Sequence, residues 1–488
     1  MKTKIVQTFL EALILRIQSA NAADALALAR LYGNVAWNNP VDIYRGDDIE
    51  NDLYAKVGSL AALVLSGVAP LKNDKILHVL TEGYTSGGHT RVLERLLEAS
   101  SDLPLQDVVV VDTCPREVTA KLNAMGVTVR IARRTGLQAI SELASIMAEY
   151  GDIVLHIHPD DIVSAISARI ARESGTRVVL YNHADHCFTY GACAVDVMCE
   201  ISAFGRKISR RYRPDLPSSF VGIPLNISRP VDRIHDGKNT VLSSGPAYKF
   251  DLRAGGVFSS IVQKVISDLG LPMLLIGPAQ LPPDASEELN RFVVQGKLII
   301  IPAVSYATYL DHLRNCLCYI DSAPITGGSA LPEAALSGVP CAGLENAVMG
   351  YSPIDAIRSR SVDDLIERIR YFRDGDEAVE TVSRDELVNA HAPVTVAKKI
   401  VASARRHDQF LMPYAVDEEA LDIHYPHKQW ESTSEINIHT RAFDFLSFAT
   451  RCSVFLSLAQ FGLIRRMHPV AALKLFVSSI ATRRMRNQ

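Results

Sequence analysis

Hydrophobic positions along the chain follow two alternating rhythms. Short apolar runs at Ile76–Leu80, Val108–Val111, Val127–Ile131, Ile153–Ile157 and Arg177–Tyr181 alternate with stretches of helical spacing that begin at His89 and cover Glu117–Met125, Leu137–Ala148 and Ile162–Arg172. Strands of this length alternating with helices predict right-handed βαβ units on a parallel sheet. The rhythm breaks at Asn226–Asn239, where Ser228, Arg229-Pro230 and Asp236-Gly237-Lys238-Asn239 read as a turn-rich linker. It restarts with strands at Thr240–Ser243, Met273–Ile276, Leu298–Ile301, Leu317–Ile320 and Pro340–Ala342, and helices at Gly256–Leu269, Tyr306–Arg314 and Ser329–Leu336. The predicted organisation is a helical extension over 1–72, an α/β domain over 73–226, a second α/β domain over 239–405 and a helical tail over 406–488. Two such units enclose a cleft, and ligands of such sheets bind outside the carboxyl ends of the strands.

Composition narrows the class. The 488 residues are 48% hydrophobic and 22% charged, with a formal net charge of −3. This is an ordinary globular balance, without the basic excess of a nucleic-acid binder. The 8 cysteines contain no CxxC pair and fit a reducing compartment better than a disulfide framework or zinc site. At the N-terminus, Ile5, Phe9, Leu13 and Ile17 repeat at helical spacing while Gln7, Glu11 and Arg16 interrupt the apolar run. That pattern favours an amphipathic helix over a signal peptide. No apolar stretch reaches the roughly 20 residues of a membrane-spanning helix, and a cytoplasmic location is expected, peripheral to the inner membrane if the tail binds lipid.

Three groups of residues carry candidate chemistry. Gly83, Gly87 and Gly88 form a loop between a strand and a helix, where backbone N–H groups can approach a ligand; a plain tight turn would use the same residues. The loop matches neither GxGxxG nor GxxxxGK[ST], so an NAD or ATP site lacks its fingerprint. Asp321–Pro340 runs from a strand end into a helix, with Gly327, Gly328 and Ser329 able to meet a diphosphate and Glu333 one turn on. Glu333 can accept ribose hydroxyls or simply complement the helix dipole. Histidines crowd the first domain at positions 78, 89, 156, 158, 183 and 186. His183 and Asp185, at a strand end, are candidates for a general base. These histidines come from separate strand ends, and no metal is expected.

The Asp321–Pro340 stretch resembles the donor-site motif of GT-B glycosyltransferases, in particular the O-GlcNAc transferase-like and bacterial polysaccharide or protein transferase groups. Upstream, Leu242–Phe250 is similar to the strand and loop whose lysine contacts the donor diphosphate, here Lys249. Tyr181–His186 resembles a His/Asp segment at the end of a first-domain strand. The resemblance covers about residues 75–400 and implies two Rossmann-like domains, with the nucleotide sugar on the second and the acceptor on the first. Ile325 stands where retaining family-4-type enzymes carry Glu, and this leans toward inversion; Gly328 stands where O-GlcNAc enzymes often have His.

The expected activity is transfer of a hexose or N-acetylhexosamine from a nucleoside diphosphate sugar, UDP-linked, to a glycan, lipid-linked or protein acceptor, without metal or other cofactor, in bacterial surface polysaccharide or glycoconjugate synthesis. The rivals are a catalytically silent GT-B-like scaffold and a sugar-nucleotide epimerase. From Arg441 onward eight Arg or Lys stand against one acid, Asp444, with aromatic and aliphatic residues between them. Such helices can lie on an anionic membrane surface or pack back on the first domain.

Overall fold

The computed structural model describes residues 2–67, 72–85, 88–99, 103–132, 136–227, 239–375, 382–432, 435–443 and 446–480. Gly87, most of the predicted linker, Asp444, Phe445 and the last three arginines lie outside the described residues.

The N-terminal extension forms α1 (Lys2–Ser19), α2 (Ala22–Asn38), α3 (Asp47–Lys56) and α4 (Gly58–Ser66). Of the predicted stripe Phe9, Leu13 and Ile17 are buried and Ile5 is partly so, with Val6 and Leu10 of α1 buried beside them. The Asn21 side chain accepts from the amides of Ala23 and Asp24 and so starts α2.

The first α/β unit then runs β1 (Asn73–Leu80), α5 (Gly88–Glu98), β2 (Gln106–Val110), α6 (Arg116–Ala124), β3 (Thr128–Ile131), α7 (Leu137–Ala148), β4 (Tyr150–His156), α8 (Ile162–Glu173), β5 (Arg177–Tyr181), β6 (Val197–Glu200), α9 (Ala203–Tyr212) and β7 (Ser218–Phe220). Among the described residues its sheet has seven strands, ordered β3-β2-β1-β4-β5-β6-β7 and paired in parallel throughout. Period-two alternation divides each strand between two cores. Leu77, Val79, Ile153 and Leu155 face the core shared with α1, α2, α7 and α8, whereas Ile76, Val154 and Val179 face the other side.

The second unit comprises β8 (Val241–Ser244), α10 (Val257–Ser267), β9 (Met273–Gly277), α11 (Glu287–Val294), β10 (Leu298–Pro302), α12 (Tyr306–Arg314), β11 (Cys318–Ile320), α13 (Ala330–Leu336), β12 (Cys341–Ala342), α14 (Val362–Asp374), α15 (Arg384–His391) and α16 (Pro393–Arg406). Its strands are ordered β10-β9-β8-β11-β12, all parallel. The predicted second domain, 239–405, differs in one respect: α16 returns to the first sheet and packs on α5, β4, β5 and β6. Val396, Ala397 and Ile400 supply its buried face. They join a core that holds both Ile76 and Val154 of the first sheet and Leu242 and Tyr319 of the second. The two units are thus joined by continuous apolar packing.

The tail forms α17 (Tyr425–Ser432), α18 (Phe448–Gln460) and α19 (Pro469–Ile480). α18 lies back on α1: the Phe9 and Phe461 rings meet edge-on at 5.9 Å. Arg16 also donates to the hydroxyls of Ser453 and Ser457 at 3.1 and 3.3 Å. Among the described residues no helix is long and apolar enough to cross a membrane.

Candidate active site

The loop after β11 is organised around Asp321. Its Oδ1 accepts from the amides of Ser322 and Gly327, each at 2.9 Å, and its Oδ2 accepts from Arg358 Nη2 at 2.7 Å. Arg358 Nε donates to Asp355 at 2.6 Å, and both ends of the Asp321–Arg358 pair are buried. The loop is therefore held by charge-assisted bonds in a desolvated setting. A side chain could not replace either glycine without displacement: a Cβ at Gly327 would lie 2.9 Å from Asp321 Oδ1, and one at Gly328 3.1 Å from the Tyr351 ring.

Lys249 closes the short turn after β8 and places Nζ 2.9 Å from the Thr326 carbonyl oxygen, on the inner edge of this loop. Burial lowers its pKa, with Asp321 opposing the shift. Among the described residues Lys249 makes no ion pair, and the amides of Gly328 and Ser329 have no hydrogen-bond partner. The Ser329 side chain makes no capping bond to α13. Lys249 thus meets, at Thr326, the loop whose Gly328 and Ser329 amides are unspent donors among the described residues.

Two residues expected to join them are engaged elsewhere. The Gly327 amide is turned onto Asp321, because a buried carboxylate must collect donors. Glu333 is buried in an ion pair with Arg95 of α5, which also donates to the Pro224 carbonyl at 3.0 Å. Gly88 opens α5 in an exposed position.

The histidines form an ordered array on the first sheet. Gln106 Oε1 lies 2.7 Å from His78 Nε2, His78 Nδ1 is 2.9 Å from His156 Nε2, and His156 Nδ1 is 2.9 Å from His183 Nε2. Burial lowers the pKa of His78 to about 4 and holds His156 and His183 well below the ordinary value; neighbouring histidines add to the effect for the latter two. His89 packs edge-on against His183 at 4.1 Å between centroids, and its Nε2 is buried without a partner among the described residues. His183 remains partly exposed at the carboxyl edge.

Asp185 departs from the expectation that it projects into the cleft with His183. It is 1% exposed and accepts from Ser202 Oγ and, at 3.2 Å, from the Tyr351 hydroxyl. Tyr351 belongs to the second unit and also covers Gly328, so Asp185 ties the seam between the domains. A carboxylate buried and bonded in this way has a structural place at the seam.

A cavity of about 190 Å³ beside the array went unread in the sequence. Its walls come from α2 (Arg30, Trp37), the first sheet's carboxyl edge (Tyr84, Asp112, His158) and the tail (His439, Arg441). Trp37 stacks near His439 and His158, at 6.4 and 5.7 Å between centroids. Arg441 grips Glu82 with both terminal nitrogens. Burial works against the Glu82 carboxylate, but the bonds from Arg441 and Tyr84 hold its pKa down to about 2. Burial raises the pKa of Asp112.

No family model matches the chain, and no curated protein matches it. Solved structures do. A glycosyltransferase from Rickettsia africae superposes with a TM-score of 0.51 at 11% identity, covering 69% of this chain and all of its own (100%). HepE of Anabaena in complex with UDP gives 0.50 at 14% identity, covering 67% of this chain and 99% of its own. An O-GlcNAc transferase from Thermobaculum terrenum gives 0.44 at 15% identity, with 78% and 79% covered. The first two likenesses, with two parallel sheets of seven and five strands, establish the fold as GT-B: two Rossmann-like domains, here carrying helical extensions at both ends.

Proposed function

We propose that the chain is a glycosyltransferase that moves a hexose or N-acetylhexosamine from a nucleoside diphosphate sugar, UDP-linked, to a hydroxyl acceptor of a glycan, lipid-linked sugar or protein in bacterial surface glycoconjugate synthesis. One observation carries the reading: among the described residues the desolvated Lys249 ammonium makes no ion pair, and it reaches, at Thr326, the loop whose Gly328 and Ser329 amides have no hydrogen-bond partner. A buried cation without a counter-anion is costly, and a diphosphate would supply the missing charge. The same groups would stabilise the charge that develops on the leaving diphosphate, where fixed donors act most strongly. HepE, similar in fold, holds UDP in its structure, and UDP is the first ligand to try.

His183 would take the acceptor proton. The cavity walled by Trp37, Tyr84, His158 and Arg441 adjoins it through the His89 and His158 rings, 5.3 Å apart. Aromatic faces beside carboxylates and guanidinium groups suit the alternating apolar and hydroxyl faces of a sugar acceptor. Titration calorimetry with UDP and GDP, followed by donor hydrolysis without acceptor, tests the reading. Absence of binding by any nucleoside diphosphate would exclude it.

A further inference from the structure

The array from Gln106 to His183 crosses four neighbouring strands on one face of the first sheet, and its geometry is diagonal. Ile76 pairs with Gln106 and Leu80 with His156. His78 therefore stands two residues further toward the carboxyl edge than Gln106, and His156 two further again. His183 lies two residues beyond the end of β5. Each step up the diagonal is spanned by one side-chain hydrogen bond, so a buried amide on β2 is connected to the partly exposed imidazole at the cleft.

A neutral imidazole carries one N–H and one lone pair, and a bond made at one nitrogen fixes the role of the other. The Gln106 oxygen can only accept, so His78 donates from Nε2 and offers its Nδ1 lone pair. His156 must then donate from Nε2 and offer Nδ1, and His183 must donate from Nε2 in turn. Burial keeps the three rings neutral, so no second proton blurs the sequence. His183 Nδ1 is left with a lone pair and has no partner among the described residues. Turning the Gln106 amide over would reverse all three bonds and convert Nδ1 of His183 into a donor.

We propose that Gln106 is a remote positioning residue which, through His78 and His156, fixes the tautomer of His183 in which Nδ1 is unprotonated and keeps its lone pair free. The catalytic consequence rests on the reading of His183 as general base; the tautomer itself does not.

Long-range proton–nitrogen NMR spectra of the full chain labelled with ¹⁵N-histidine separate the two. The His183 signals are assigned by their loss in His183→Gln. In the unsubstituted protein at neutral pH, His183 should show a protonated Nε2 and an unprotonated Nδ1. Gln106→Met, which can neither accept nor donate a strong bond, should give a mixture of tautomers. A His183 protonated at Nδ1, or one indifferent to Gln106→Met, overturns the proposal. In kinetics, Gln106→Met should lower kcat by about tenfold or more, out of the roughly 10²–10⁴-fold a general base supplies, at unchanged UDP affinity. A shifted tautomer with unchanged kcat would leave the ladder standing but remove its catalytic role and that of His183 as base.

Discussion

Arg95 on α5 and Glu333 on α13 form a buried ion pair that joins the first α/β unit to the loop-bearing end of the second. Arg95 also holds the Pro224 carbonyl, just before the chain passes to the second unit. The carboxylate that the GT-B resemblance assigns to donor ribose is thus a clasp between the two units. A ribose would have to share Glu333 with Arg95 or draw it away.

The clasp predicts that Glu333→Ala destabilises the chain. Removing one partner of a buried pair leaves a guanidinium uncompensated, at a cost of about 3–5 kcal/mol. Combining it with Arg95→Met should recover most of that loss, because an apolar pair can replace a buried ionic one. Urea unfolding of the two variants checks this; equal stability of Glu333→Ala and the parent would mean the pair contributes nothing.

Lys249→Ala should weaken UDP binding by about tenfold to a hundredfold, since charge-assisted hydrogen bonds contribute roughly 1.5–3 kcal/mol each. The thermal midpoint should not fall, because the variant also removes a desolvated charge. Calorimetry with unchanged UDP affinity would take Lys249 out of the donor site.

Much of the fold was legible from periodicity alone. Strands predicted at 177–181 and 273–276 are found at Arg177–Tyr181 and Met273–Gly277, and the helix at 137–148 is Leu137–Ala148. Such elements are dictated by which neighbours in sequence are apolar. The short strands β6 and β7 and the return of α16 escaped, because the last depends on a partner surface far away in the chain. Local sequence did place the Gly327–Ser329 loop, which follows β11 and opens α13 as the pattern predicts. The site was illegible where it depends on distant pairs: Arg95 and Glu333 are 238 residues apart, and Glu82 and Arg441 are 359 apart. Asp185 shows the converse, a motif residue whose neighbours Ser202 and Tyr351 claim both its oxygens.

Protons give a further test at His391. It is buried, with Nδ1 2.9 Å from the Ile223 carbonyl oxygen and Nε2 2.8 Å from Ser352 Oγ, and burial lowers its pKa to about 4. Its folded pKa lies below its unfolded value, so the stability it contributes is present above about pH 6.5 and is lost as pH falls toward 4. Glu50, raised to about 7 by burial, acts in the opposite direction over part of this range, so the bulk pH dependence mixes several groups. The difference between the parent and His391→Gln isolates one of them. It should shrink by up to about 1.4 kcal/mol per pH unit between pH 6.5 and 4; a constant difference in chemical unfolding would show that His391 titrates normally.

Inversion at the anomeric carbon is the expected stereochemistry. Ile325 offers no carboxylate where retaining family-4-type enzymes have one, and Asp321 in the same loop is fully engaged by Arg358 and two backbone amides. His183→Ala should then lower kcat while leaving UDP affinity nearly unchanged, as expected for a group acting mainly in the transition state. The anomeric proton coupling of the first-formed product decides between the outcomes. An α-linked product from an α-linked donor would mean retention and would remove His183 as the base.

The tail divides into a packed part and an exposed part, and this refines the membrane expectation. Arg441 is committed to Glu82, and Arg451 is buried with its Nε on the Leu446 carbonyl at 2.9 Å. Val454 and Leu458 of α18 are buried in the first-domain core. α19 is different: Val470, Leu473 and Val477 are 52%, 63% and 51% exposed, and Leu456 of α18 is 68% exposed. Arg465, Arg466 and Lys474 lie close by in sequence. An apolar face flanked by basic residues can insert shallowly into an anionic bilayer while α18 stays docked. Leu473→Glu combined with Val477→Glu should therefore abolish co-sedimentation with phosphatidylserine-containing vesicles without lowering the thermal midpoint, since neither residue is in a core. Binding should also weaken as salt is raised, because screening acts on the basic flank. Vesicle binding that survives the paired substitution would place the contact elsewhere, and no binding by the parent chain would reduce α19 to an uncovered protein surface.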